Sequence, residues 1–402
     1  MVIEIPIRIY QCCQQILFRL FTNMLLMITL KLQINASTQL EPTKNEINFN
    51  YFYKLKLINM QIKCLAIGDP HFKEHNIQDC EDMVEKILDL VDNQELDFVV
   101  VLGDTLDTHE KIHQAPFNLA TRFIIELSYR LPVYLLIGNH DYCNNQQFLT
   151  DKHPFNTLKH IDNITVCDKV IQSTFNGMSF VFCPYVPPDR FEEALDTLQP
   201  AKSWLNANCI FAHQEFYGCA FNPTQKSTNG DMWPDKYPMV VSGHIHNEQR
   251  LQQNIYYTGS SMQHAFGESA KKTVALLTFD NNTEMEITRI DLELRKRKIV
   301  YVDIENIDSW KMPKNKNLLI KLVIRGTEQE NKAFRKTAKY KELEKTVYAV
   351  SFTIKERQTN AIESARLQRV KKSVIDTLQG LIKNDNEYVQ NSFTVLKNSL
   401  YN

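Results

Sequence analysis

Five short segments of this chain concentrate aspartate, asparagine and histidine. They hold Asp69 and His71 in GDPHF, Asp104 and Asp107 in GDTLD, and Asn139, His140 and Asp141 in GNHD, then His213 in FAHQE and His244 and His246 in GHIH. Each follows a short apolar run that reads as a strand. Singly, each has a plain structural reading. A histidine before a loop is usually a satisfied polar residue. GNHD is a good turn, with glycine supplying positive φ while Asn and Asp bond their own backbone. Jointly they read as a metal centre, because ligands in α/β sheets bind outside the carboxyl ends of strands. Imidazole and carboxylate without thiolate suit Mn²⁺, Fe²⁺ or Zn²⁺, not Cu(I) or an iron–sulfur cluster. The lack of cysteine in these segments argues against a structural zinc site. Two divalent ions about 3.5–4 Å apart need one bridging carboxylate and nitrogen and oxygen ligands on each side. Such a pair makes hydroxide near neutral pH and neutralises phosphate oxygens as they gain charge.

The elements that position these residues follow from hydrophobic spacing. Lys63–Ile67 is an apolar strand ending at Gly68-Asp69. Met83, Ile87, Leu88 and Val91 fall between charges, which predicts a helix over 77–90. Asp97–Leu102 has the continuous apolar character of a strand covered on both faces and ends at Gly103-Asp104. Phe117–Leu131 predicts a second helix, and Val133–Ile137 a strand ending at Gly138-Asn139. This alternation argues for a layered α/β domain with a largely parallel sheet. Strands are expected again at 164–166, 178–184, 208–212, 238–242, 254–257, 272–279 and 285–291, a spacing that suits two sheets flanked by helices. The run RKRK at 295–298 marks a boundary. Beyond it, Leu318–Val323, a helix over Glu328–Leu343, and Val347–Thr353 predict a small strand–helix–strand unit. Leu367, Val370, Val374, Leu378 and Leu381 lie on one helical stripe, which docks on that unit or on a partner helix.

A chain of 402 residues is too long for one ordinary domain. Its Lys+Arg 46 against Asp+Glu 47 excludes a bulk cationic coat for nucleic acid, though not a local basic face. Nine cysteines form no C-x-x-C pair and sit in or beside apolar stretches. That predicts an intracellular, reducing compartment, cytoplasm or nucleus. Ile16–Leu32 is the most apolar window, but Arg19, Thr22 and Asn23 interrupt it, and a bilayer span needs about 20 apolar residues. A signal peptide or anchor is the sharper reading. An extension ahead of a start at Met60 is the plainer one, and nothing firm points to a membrane. The domains expected are an extension over 1–59, a catalytic domain over 60–293, a second domain over 294–360 and a helical segment over 361–402.

The order DxH, GDxxD, GNHD, H and GHxH resembles the calcineurin-like metallophosphoesterases over about residues 60–290. The resemblance implies an α/β fold, a four-layer α/β/β/α sandwich, here with a small C-terminal α+β capping domain. It implies one metal on Asp69, His71 and His246, another on Asn139, His213 and His244, and Asp104 as the bridge. It further implies that His140 is the catalytic proton donor or phosphate-orienting residue, with Asp107 holding its imidazole. That pairing makes chemical sense, since a carboxylate fixes the tautomer and stabilises the imidazolium. No organic cofactor is implied.

Thr108-His109 stand where Ser/Thr protein phosphatases carry Arg-Gly, and Asp107 stands where purple acid phosphatases carry Tyr. The segment GHIHNEQRLQQNIYYTGSSMQHAFGE at 243–268 and the pair His213-Gln214 are similar to the Mre11/SbcD branch of nucleases. Phe72-Lys73 depart from that branch's Leu-Gly, and Asp107 matches its bacterial and phage form. The branch implies a DNA exonuclease and endonuclease of repair or replication that uses Mn²⁺, with Fe²⁺ or Zn²⁺ as alternatives. It also implies a Rad50/SbcC-like ABC ATPase as partner, docked on the 367–381 stripe, and a homodimer is a further expectation. Lys271, Lys272 and the RKRK run would then face DNA phosphates, or else form a solvated junction. A phosphatase or phosphodiesterase of nucleotides or small molecules is the competing enzymatic reading. A non-catalytic scaffold of the same fold is the third, opposed by the intact Asp104, Asn139 and His140.

Overall fold

The computed structural model describes residues 61–109, 111–222, 224–280, 285–315, 317–354, 376–383 and 387–401. Contacts divide the chain into two units. Of the first, Met1–Gln61 with Phe279–Glu284, only Gln61, Phe279 and Asp280 are described. The extension and its apolar window Ile16–Leu32 therefore lie outside the described residues. The second unit, Ile62–Thr278 with Met285–Asn402, carries everything below except Phe279, the last residue of one strand.

Strands and helices alternate at first: β1 (Ile62–Ile67), α1 (Ile77–Asp92), β2 (Phe98–Val101), α2 (Gln114–Ser128), β3 (Val133–Leu136) and β4 (Ile164–Cys167). Then strands dominate: β5 (Ile171–Phe175), β6 (Met178–Phe182), a short α3 (Phe191–Leu195) and β7 (Cys209–Ala212). A hairpin, β8 (Ala220–Asn222) and β9 (Gln225–Lys226), precedes β10 (Val240–Ser242), β11 (Gln249–Gln252) and β12 (Ile255–Tyr257). An antiparallel pair, β13 (Val274–Phe279) and β14 (Glu286–Ile290), follows. The strands form two six-stranded sheets, ordered β14-β13-β1-β2-β3-β4 and β11-β12-β10-β7-β6-β5.

The layers follow from which faces are apolar. On one face of the first sheet, Leu65, Val99, Val101 and Leu135 pack with Met83 and Ile87 of α1 and Phe123 and Leu127 of α2. Its other face meets the second sheet through rings. Tyr134 stacks on Phe182 at 3.8 Å, and Phe98 lies 5.9 Å from Phe211. The far face of the second sheet, with Val181, Ile210 and Val240, packs on Phe191, Leu195 and Trp204. The result is helix, sheet, sheet, helix. All four residues of β2 are buried because both its faces are covered. Phe98→Ala would cost about 3–5 kcal/mol by the usual cost of emptying a core aromatic site.

A small parallel sheet follows, ordered β15 (Lys296–Asp303), β16 (Leu318–Gly326) and β17 (Ala349–Ile354). Between its last two strands lie α4 (Glu328–Phe334) and α5 (Ala338–Thr346), where one helix over 328–343 was expected. The break has a local cause. Thr337 caps α5 by accepting from the Tyr340 amide at 3.1 Å, a bond that competes with helix continuation. The sheet also begins earlier than expected, because the two arginines of RKRK are engaged while Lys298 is exposed. Arg297 is 6% exposed inside β15, its guanidinium bonded to Asp79 of α1, and Arg295 pairs with the same carboxylate at 2.5 Å. Two side chains of the basic run, Arg295 and Arg297, clamp the small sheet to the first helix layer. A last helix, α6, spans Glu387–Tyr401. Of the expected stripe, Leu378 and Leu381 are 44% and 72% exposed, while Leu367, Val370 and Val374 lie outside the described residues. Among the described residues, seven cysteines are free thiols, and no helix is long and apolar enough to cross a membrane.

Candidate metal centre

The five segments leave β1, β2, β3, β7 and β10, and their side chains meet. The turns that aim them are strained. Asp69, His71, Asp104 and His244 have φ of +41°, +45°, +46° and +76°, left-handed values unusual for non-glycine residues. Such positions cost on the order of 1–3 kcal/mol each and persist where the surroundings over-determine them. Glycines make the room. A Cβ on Gly103, itself at φ +91°, would lie 2.5 Å from His213 Nδ1, and one on Gly138 would lie 2.1 Å from the Asp104 amide.

Asp69, His71 and His246 form one group. His246 Nδ1–H donates to Glu268 Oε1 at 3.0 Å, and His71 Nδ1 lies 3.3 Å from Asp107 Oδ1. With both Nδ1 atoms turned to carboxylates, the two Nε2 atoms face one another at 3.0 Å. Two lone pairs at that distance repel unless a cation or proton lies between them. Two nitrogens bound at roughly 2.1 Å to one ion, about a right angle apart, would stand at that separation. Asp69 Oδ1 accepts from the His244 amide at 2.8 Å, while the buried Oδ2 has no partner among the described residues. These donors fit a divalent cation.

Asp104, His213 and His244 form the second group. His213 Nδ1–H donates to the Leu102 carbonyl at 2.6 Å, so Nε2 is its ligand atom. That Nε2 faces Asn139 Oδ1 at 3.0 Å, Asp104 Oδ1 at 3.3 Å and His244 Nδ1 at 3.3 Å. Oxygen and nitrogen lone pairs thus converge where only a cation or a proton relieves them. Burial works against an imidazolium here, but the charges of Asp104 and Asp69 outweigh it and hold His213 up at about 9. Burial, then His213, push His244 down to about 3. Burial also opposes ionisation of Asp104, yet His213 and His71 keep it well below the carboxylate range. Asp104 spans the groups, with Oδ2 3.6 Å from His71 Nε2 and Oδ1 3.3 Å from His213 Nε2.

His140 stands at the same focus. Its amide donates to Asp104 Oδ1 at 2.8 Å, and its Nδ1–H donates to an oxygen of Asp107 at 2.8 Å. That oxygen is the main-chain carbonyl, which corrects the expectation that the Asp107 side chain holds this imidazole. The Asp107 carboxylate points instead to His71 and to Lys73 Nζ at 2.9 Å. Burial raises it, but the bonds from His71 and Lys73 prevail and bring it to about 2. Lys73, the departure beside the first motif, is therefore part of the support.

The pattern of motifs missed several neighbours. Asp141, within GNHD but unassigned, accepts from the amides of Leu106, Gly138 and Thr105 at 2.8, 2.9 and 3.2 Å and ties two ligand loops together. Burial, then Asp104, raise its carboxyl to about 7. His264 Nε2–H donates to the Asp69 carbonyl at 2.8 Å, and its ring lies 4.8 Å from that of His71. Glu268, inside the FGE segment, was the most legible of them. Lys272 is 7% exposed and bonds the His246 carbonyl and Ser260 at 2.7 and 2.8 Å, with Glu268 at 3.2 Å. It supports the centre from within and is not part of an exposed basic face.

The family model for calcineurin-like phosphoesterases matches residues 62–248. A protein named as phosphoesterase 078R of Invertebrate iridescent virus 3 is 47% identical over 297 residues, 73% of this chain and 85% of that protein. One named as phosphoesterase 244L of Invertebrate iridescent virus 6 is 42% identical over 277 residues, 68% of this chain and 97% of that protein. The DNA double-strand break repair protein Mre11 of Methanococcus maripaludis is 26% identical over 202 residues, 46% of this chain and 52% of that protein.

Proposed function

We propose, for a chain that belongs to the calcineurin-like phosphoesterases and hydrolyses phosphoester bonds, that the bond is the phosphodiester of DNA and the metal Mn²⁺. The observation that carries the two-metal part is the position of Asp104, within 3.6 Å of one ligand group and 3.3 Å of the other. Support for DNA comes from the likeness to the Mre11 of Methanococcus maripaludis and from the small second sheet that Arg295 and Arg297 clamp to α1.

Asp69, His71 and His246 would hold one ion, Asn139, His213 and His244 the other, and Asp104 both. When bound, the pair would activate a water and neutralise phosphate charge. The remaining work belongs to the chain. Glu268 and the Leu102 carbonyl hold His246 and His213 in the tautomers that present Nε2. The Asp107 carbonyl occupies His140 Nδ1–H, so Nε2 faces the substrate and passes a proton to the departing alkoxide oxygen. A Rad50/SbcC-like ATPase and a second copy of the chain belong to this reading, which exposed Leu381 and Val395, 72% and 70%, suit as docking residues.

The test uses the full chain stripped of metal and resupplied with Mn²⁺. It is given end-labelled duplex and single-stranded DNA, with a phosphomonoester and a small diester as controls. Degraded DNA with slow monoester cleavage is expected. Rapid cleavage of the small substrates with intact DNA would move the protein to the nucleotide or small-molecule class.

A further inference from the structure

His109 follows the GDTLD segment and belongs to no ligand group. Its ring lies nearly parallel to that of His140, with centroids 4.6 Å apart and planes at 18°. On another side His140 meets the edge of His71, centroids 5.0 Å apart at 86°. Its Nδ1–H is tied to the Asp107 carbonyl at 2.8 Å. One hydrogen bond leaves an imidazole free to swing about its last side-chain torsion, which is broad and soft. The stack removes that freedom, since turning the His140 plane would drive its edge into the His109 face. His109 Nδ1 is buried with no hydrogen-bond partner among the described residues, and the ring meets His140 through its face. A flat ring is what the contact uses.

We propose that His109 is a positioning residue for His140: its ring fixes the plane of the His140 imidazole and thereby the direction of Nε2. The inference rests on reading His140 as the proton donor. Thr108-His109 stand where Ser/Thr protein phosphatases carry Arg-Gly, so that branch has no ring at this place.

The experiment compares His109→Ala and His109→Phe with the parent full chain, each checked for folding by thermal unfolding. With Mn²⁺ and the dinucleotide thymidylyl-thymidine, whose alkoxide leaving group needs a proton, His109→Ala should lower kcat about tenfold at unchanged KM and bound metal, a part of what a positioned acid supplies. His109→Phe should recover most of that loss. Equal loss in both variants would show that a ring nitrogen is needed and overturn the proposal. Unchanged kcat in His109→Ala, or loss of bound metal, would overturn it too. A second readout needs no turnover. In the metal-free chain, the ring signals of His140 should carry the ring-current shift of a stacked neighbour, lose it in His109→Ala and keep it in His109→Phe. Signals unmoved in His109→Ala would refute the stack. A parent chain that cleaves no phosphoester would refute the enzymatic reading by itself, with the His109 question still decided by these signals.

Discussion

The two ligand groups are built from the same side chains but backed differently. Behind Asp69, His71 and His246 stand charged side chains: Asp107 with Lys73 on one imidazole, Glu268 with Lys272 on the other. The His246 side chain is 32% exposed. Behind Asp104, His213 and His244 charge is sparser: the Leu102 carbonyl holds His213, Glu215 comes only to 4.0 Å of His244 Nε2, and the His213 side chain is 0% exposed. A carboxylate behind an imidazole raises its basicity and fixes its orientation; a carbonyl fixes orientation with less charge. The first group is therefore open to tuning by single polar substitutions. The second answers mainly to changes in its ligands or in the buried loops that carry them.

The change with the largest effect erases the contrast. Asp104→Asn removes the carboxylate both groups share, and kcat should fall by about 10³ or more, since several kcal/mol of charge stabilisation are lost. Turnover near that of the parent chain would end the two-metal assignment. Asn139→Ala strikes the second group alone. Stepwise Mn²⁺ titration by calorimetry should show one of two binding events weakened about a hundredfold and the other kept. Both weakened alike would mean that the groups are not separable. Glu268→Gln makes the reciprocal test. It keeps an acceptor for His246 Nδ1–H but removes its charge, and the first group should lose about tenfold in affinity while the second is unmoved. The smallest effect belongs to Asp107→Asn. Because the main-chain carbonyl holds His140, kcat at saturating Mn²⁺ should change only a few-fold, with a modest loss of affinity at the first group. A kcat as low as that of His140→Ala would show that the side chain matters more than its position suggests.

Much of the centre was legible along the chain because each ligand segment is a local signal. In four of the five, an apolar run long enough for one strand, a glycine that makes space, and a ligand in the next one to three residues need no knowledge of the rest; His213 follows Ala212 with no glycine. The same holds for β1, β2 and β3 and for the helices between them, whose periodicity is local. Weaker local signals left gaps. Ile171–Phe175 and Gln249–Gln252 were not anticipated as strands, since half-exposed polar residues fill them. Lys296–Asp303 was hidden by its charges.

What the sequence by itself determined is the set of ligand types, their order and the strands that deliver them. Only the tertiary structure decided which group stands behind each ligand. Glu268 meets His246 across 22 residues, His213 meets the Leu102 carbonyl across 111, and Arg297 meets Asp79 across 218. No pattern of spacing encodes such pairings, because they depend on how sheets and loops pack. The choice between the Asp107 carbonyl and its carboxylate as the hold on His140 is of the same kind. One residue offers both acceptors, and the backbone path of its loop, with Lys73 drawing the carboxylate away, selects between them.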